Sequence, residues 1–308
     1  MNLDADVDED TVTDIISLLK DLEFQLSDID MARDFHTMNG WPLLVKLLLE
    51  ETHIPPNNTI EDLSQSIKTK IRSVQSHAAW VIGTAVKNTE EFFPYGVESV
   101  VVEGNRKSTA IDALIDVFCY QYDDSSSWVI RTLLAKSIYA IGAIVRGNQL
   151  AQTYAFKSDG FTRLGQKYRE LSQQGFNSEN MKLIQRIVQL STDLVEDLSL
   201  HIDLSENEMD TSIINSLSST FCDSTCELFP PKKSVPARVQ ETLVKGIAVM
   251  SPYCNESKCA TGTVRSIVKA IQSDWLSMEK SFDADHFQEL QDMIAQAFDS
   301  LSSQTKKK

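Results

Sequence analysis

The chain has 308 residues, and its 29 Lys and Arg against 44 Asp and Glu leave a net charge of -15, which repels a phosphate backbone and excludes nucleic acid as an expected partner. Only 11 Gly and 8 Pro occur, while Leu, Ala, Ser, Gln, Glu and Lys recur in long stretches, so the composition predicts an all-α fold, and 42% hydrophobic residues exclude a disordered chain. No run approaches the roughly 18 to 20 apolar residues of a membrane span, so no membrane insertion is expected; the start, MNLDADVDED, lacks the basic region and apolar stretch of a signal peptide, which would place any targeting segment upstream of Met1.

Residues 1–9 read as an acidic disordered leader, and one elongated domain is expected over 10–303 because no Gly- and Pro-rich linker divides it. Val12, Ile15, Ile16, Leu19, Leu22 and Leu26 recur at spacings of three and four, which predicts a first helix. A second starts at the capping pair Ser27-Asp28, carries Met31, Phe35 and Met38, and stops in a left-handed turn at Asn39-Gly40. Trp41-Pro42 opens a third with Pro in the first helical position, and Leu43, Leu44, Leu47 and Leu48 follow before the loop 53–59.

A long helical stretch over 60–88 ends in His77-Ala78-Ala79-Trp80-Val81-Ile82-Gly83-Thr84-Ala85-Val86-Lys87-Asn88, rich in the small residues that let helices approach closely. A comparable string runs from Ala135 to Asn148. Aligning Ile82-Gly83 with Ile141-Gly142 matches Trp80 with Tyr139 and Lys87 with Arg146, an internal repeat at an offset of 59 residues. An armadillo-type repeat spans about 40 to 47 residues, and the excess is assigned to an inserted loop near 94–107. Weaker echoes lie at 183–198 and 243–250, and Met38-Asn39-Gly40-Trp41 and Ser158-Asp159-Gly160-Phe161 share the order helix, Gly stop, aromatic, next helix. A last helix over 288–301 closes the array before a disordered tail at 304–308. Together these predict an armadillo-like solenoid of about four repeats with capping helices at both ends, whose concave face suits a protein partner.

Little in the chain points to chemistry. Gly104-Asn105-Arg106-Lys107-Ser108-Thr109 lacks the first glycine of a phosphate-binding loop, and neither G-x-S-x-G nor H-E-x-x-H occurs. No enzyme activity, cofactor or metal is expected. Of the five cysteines, Cys222 and Cys226 form one close pair and Cys254 and Cys259 another, open to reading as disulfides or as buried thiols and spaced too loosely for a usual zinc site. The sequons at Asn57 and Asn255 are candidate glycosylation sites and, with the clustered cysteines, favour the secretory pathway. By repeat position, Trp80, Lys87, Tyr139 and Arg146, with His77 behind them, are the candidate contacts of the concave face.

The string Asp34-Phe35-His36-Thr37-Met38-Asn39-Gly40-Trp41-Pro42-Leu43-Leu44, followed by the string from His77 to Asn88, resembles the armadillo-type nucleotide exchange factors of the DnaK-like heat-shock chaperones, and within them the fungal luminal SIL/SLS, or BiP-associated, type. The likeness covers most of the chain and is strongest before Asn148. It implies a four-repeat core whose concave face embraces one lobe of the nucleotide-binding domain of BiP, opens the cleft and releases ADP, with no residue of this chain touching the nucleotide. It also implies a monomer when alone, a location in the lumen of the endoplasmic reticulum, and a role in protein folding and translocation. The chain shows no terminal retention signal of the Lys-Asp-Glu-Leu kind, so retention there would rest on a trimmed end or on another device. The alternative is an armadillo-type adaptor for peptide cargo without exchange activity. That reading expects a ladder of Trp and Asn, whereas Thr84 and Ala143 stand one turn on. A hydrolase or transferase would reveal itself by turnover without the chaperone.

Overall fold

A computed structural model describes residues 9–49, 65–87, 89–102, 106–122, 127–174, 178–202, 208–229, 235–254, 259 and 261–305. Most of the acidic leader, both sequons at Asn57 and Asn255, and residues 306–308 lie outside them. Among the described residues the fold is all-α apart from one short ribbon, and it divides into two compact units, 1–158 and 159–308.

In the first unit α1 (Glu9–Gln25) buries Val12 and Leu19 of the apolar stripe. Asp28 caps α2 (Ile29–Thr37), its carboxylate accepting from the backbone N–H of Asp30 and Met31 at 2.9 and 3.1 Å. The left-handed stop falls on Asn39, with φ 62°, and Gly40 has a different task. A side chain at Gly40 would run into the Phe35 ring, while Asn is one of the few residues that tolerates the left-handed region. α3 (Trp41–Leu49) starts at Trp41, so Pro42 is its second residue, still in the first turn where a missing N–H costs nothing.

Among the described residues, part of the insertion expected as a loop has regular structure. Glu90–Gly96 forms a 3-10 turn, and β1 (Val100–Val101) pairs antiparallel with β2 (Lys107–Ser108). The turn is tied down at several points. Buried Trp41 donates its Nε1–H to the Tyr95 carbonyl at 2.9 Å, the His36 ring stacks on Tyr95 at 3.6 Å, and Arg33 Nε lies 2.7 Å from Glu91. The buried Asn148 amide donates to the Phe93 carbonyl at 3.1 Å from the far side.

α5 (Ala110–Cys119) begins with Thr109 as its cap. Packed among these elements are α4 (Gln65–Val86) and α6 (Trp128–Val145), followed by α7 (Gln149–Lys157). Ala78, Ala79, Val81 and Ile82 of α4 and Leu133, Ile138, Ala140 and Ile141 of α6 make the middle of this core. By length and composition Trp128–Val145 is apolar enough to cross a membrane, which corrects the expectation that no run comes near that limit; most of it is buried inside the unit. Gly83 meets Tyr139 and Ala140, and Trp80 meets Lys136, so α4 and α6 run in the same direction.

The second unit holds α8 (Gly160–Gln173), α9 (Ser178–Ile202), α10 (Glu208–Leu228), α11 (Ala237–Met250), α12 (Thr261–Ser277) and α13 (Ala284–Thr305). Asp159, with φ 63°, precedes α8 as Asn39 precedes Gly40 and α3. Contacts again join same-direction helices. Tyr168 of α8 reaches Thr225 of α10 and Gln185 of α9 reaches Thr242 of α11, each 57 residues along the chain. Glycine permits the approach, since a side chain at Gly165 would strike Thr220 and one at Gly246 would press on Phe221 and Val188.

The four clustered cysteines pair crosswise, Cys222 with Cys254 and Cys226 with Cys259. Cys222 and Cys226 are one helical turn apart on α10, so the bridges form two rungs that fix α10 to the connection between α11 and α12. Cys119 takes no part in them. Two disulfides are compatible with an oxidising, secretory-type compartment. The Cys222–Cys254 bridge closes a separation of 32 residues, for which loop-closure entropy gives about 3 to 4 kcal/mol. Because Cys226–Cys259 still closes almost the same stretch, a Cys222→Ser/Cys254→Ser variant is expected to lose only part of that, about 2 to 3 kcal/mol in urea unfolding, and the difference from wild type should vanish when both are measured in dithiothreitol.

Candidate functional site

Helical spacing turns one side of α4 outward along Ser73, His77, Trp80 and Thr84, with Lys87 just past its end, and the same spacing on α6 turns out Thr132, Lys136, Tyr139 and Ala143, with Arg146 just past its end. Every one of these residues is half-buried or exposed, whereas Ala78, Ala79, Val81 and Ile82 between them are buried. The two rows lie side by side because Gly83 lets Tyr139 in: an ideal Cβ on Gly83 would stand 2.7 Å from a carbon of the Tyr139 ring.

Trp80 is 41% exposed, a large aromatic left out of the core beside fully buried neighbours. The Lys136 ammonium sits 4.0 Å from its ring centroid, within cation–π range, and Lys87 Nζ lies 5.9 Å from the centre of Tyr139. His77 is held by its Nδ1–H, which donates to the Ser73 carbonyl at 2.8 Å. α1 borders the same ridge, where Thr84 Oγ1 donates to Glu23 at 3.2 Å. His77, Trp80, Lys87 and Tyr139 therefore share one surface. Arg146 caps the end of α6, its guanidinium folded back over Gly142, where any side chain would meet Nη1.

Sequence reasoning missed Lys136, and the signal for it was present. The offset of 59 residues that carries Trp80 to Tyr139 also carries His77 to Lys136. Lys20 of α1 was missed as well, and no repeat marks it.

Burial pushes the Lys136 ammonium down to about 8, with Lys20 adding to the fall and Glu23 opposing it. Burial likewise lowers His77, helped by the Lys136 and Lys20 charges and opposed by the bond to the Ser73 carbonyl. Among the described residues no group of three or more His, Cys, Asp or Glu could hold a metal ion. Cavities of about 10 and 20 Å³ in the second unit, lined largely by apolar side chains such as Ile184, Val188 and Leu217, have room for a water and not for a small-molecule substrate.

No protein-family model matches the chain, and comparison with curated proteins finds no match.

The folded state holds the Lys136 proton less tightly than the unfolded chain does, so this group's contribution to stability increases as pH rises from about 8 towards the ordinary lysine value. The stability of Lys136→Met relative to wild type should therefore fall across that window. Paired thermal melts from pH 7 to 10 check this, and a constant difference would contradict it.

Proposed function

We propose that this chain is an adenyl-nucleotide exchange factor that binds the nucleotide-binding domain of the luminal DnaK-like chaperone BiP, opens its cleft and releases ADP. The observation that carries the reading is the placement of residues 77–87 of the family-like string, since His77, Trp80 and Lys87 stand on an accessible ridge beside Tyr139. Helices that pack in the same direction on partners 57 residues on support an armadillo-like repeat array with capping helices. The two disulfides support a place in the endoplasmic reticulum lumen.

The mechanism needs no catalytic group. A factor that binds the open, nucleotide-poor chaperone more tightly than the closed one shifts the chaperone towards opening, and linkage requires that bound nucleotide weaken the factor by the same coupling energy. ATP then rebinds and dissolves the complex.

Stopped-flow release of a fluorescent ADP analogue from BiP, in excess unlabelled nucleotide, should accelerate and saturate with this protein. Trp80→Ala should shift half-saturation upward by about tenfold or more, as for an aromatic anchor in an interface. An unchanged release rate with active BiP sinks the exchange reading and returns the ridge to the cargo-adaptor alternative.

A further inference from the structure

The distribution of charge gives the ridge a chemistry that the net charge conceals. α4 and α6 span 22 and 18 residues. At the chain's average of 44 acidic residues in 308, forty residues would hold about six Asp and Glu. These two helices hold none, and they carry Lys68, Lys70, Arg72, Arg131 and Lys136. Neighbouring α1 carries Glu9, Asp10, Asp14, Asp21 and Glu23 against the single Lys20. Acidic side chains have thus been kept off the very pair of helices that expose Trp80 and Tyr139.

The basic groups differ in what they do. Arg72 is spent inside the fold, its guanidinium 4.4 Å from the centre of the Tyr122 ring and bonded to Gln75. Lys87 is exposed, Lys136 is half-buried, and Lys20 stands close enough to act on Lys136 and His77 through its charge. Among the described residues neither Lys87 nor Lys136 forms an ion pair with a carboxylate. A cation that has already lost part of its hydration gains more from an incoming carboxylate than a fully solvated one. Lys136 also fixes the indole it covers, so that Trp80 meets a partner in one pose.

We infer that the α4–α6 ridge is a basic and aromatic docking strip for a carboxylate-rich face of a folded protein, with Lys136 as the residue that positions Trp80. The inference rests on the reading of this ridge as the partner surface and adds the chemistry of the face that meets it. A folded partner can set its carboxylates over Lys87 and Lys136 while keeping them away from the acidic border of α1. A long polyanion would have to lie along that border as well.

The test uses the full chain and nucleotide-free BiP. Affinity should fall about tenfold between 50 and 300 mM salt, and about tenfold again in Lys87→Glu. Lys136→Met should bind about tenfold more weakly, Lys136→Arg should bind like wild type, and circular dichroism melts should show all three variants folded. Carbodiimide, which couples a lysine amine directly to a carboxylate, should join Lys87 or Lys136 to Asp or Glu of BiP. If wild type accelerates ADP release while affinity ignores salt and these substitutions, the strip is wrong and the exchange reading stands. If wild type neither binds BiP nor accelerates release, the exchange reading falls and the strip with it. Retention of a 20-nucleotide single-stranded DNA by wild type, lost in the same variants, would overturn a protein partner in favour of nucleic acid.

Discussion

The close approach of α4 to α6 at Gly83 decides most of what the first unit can do. A methyl group at that position would enter the Tyr139 ring, and separating two packed helices to admit it costs about 1 to 3 kcal/mol. Because the hydrogen is there instead, Tyr139 settles between the helices, Trp80 comes under the Lys136 ammonium, and Lys87 reaches towards Tyr139. The same device recurs in the second unit, where Gly165 admits Thr220 and Gly246 admits Phe221. Glycine here serves to bring helix axes together and not to turn the chain, since Gly83, Gly165 and Gly246 all lie within helices.

Lys136 shows what a half-buried charge on this ridge costs the isolated protein. An ammonium half withdrawn from water is unfavourable in the isolated protein, which is the meaning of its lowered affinity for the proton. The contact with Trp80 offsets part of that. The Glu23 carboxylate of α1 offsets a further part through its charge. The exposed indole tells the same story in apolar terms, since 41% of Trp80 stays in water next to residues that are wholly buried.

How much of this could be read beforehand depended on the range of the interaction. Helix starts were legible because they are local: Asp28 caps through N–H groups two and three residues on, and the Asn39 and Asp159 stops need only their own side chains. The likeness of 77–88 to 136–147 was legible as shared sequence at one offset, and it pointed to Trp80, Tyr139 and Lys87. The insertion read as a loop because its order comes from distant partners, namely Trp41, Arg33 and Asn148, each more than fifty residues from its contact in the chain. The pairing of the cysteines was likewise closed to inspection, for Cys222 and Cys226 are neighbours on α10 while their partners arrive from beyond α11. The basic character of the ridge was open to view in the absence of Asp and Glu from 65–86 and 128–145, but net charge averages over the whole chain and hides it.

The stacking of helices on partners 57 residues along gives the second unit a mechanical grain. A chain pulled from its ends would surrender one helix layer at a time, and a fully extended stretch of that length spans about 190 to 200 Å. The two rungs at Cys222–Cys254 and Cys226–Cys259 interrupt this pattern, because the residues they enclose cannot be drawn out while the bridges hold. The second unit would accordingly lengthen less than its residue count allows, and the reducing power of its surroundings would set how far it can be stretched.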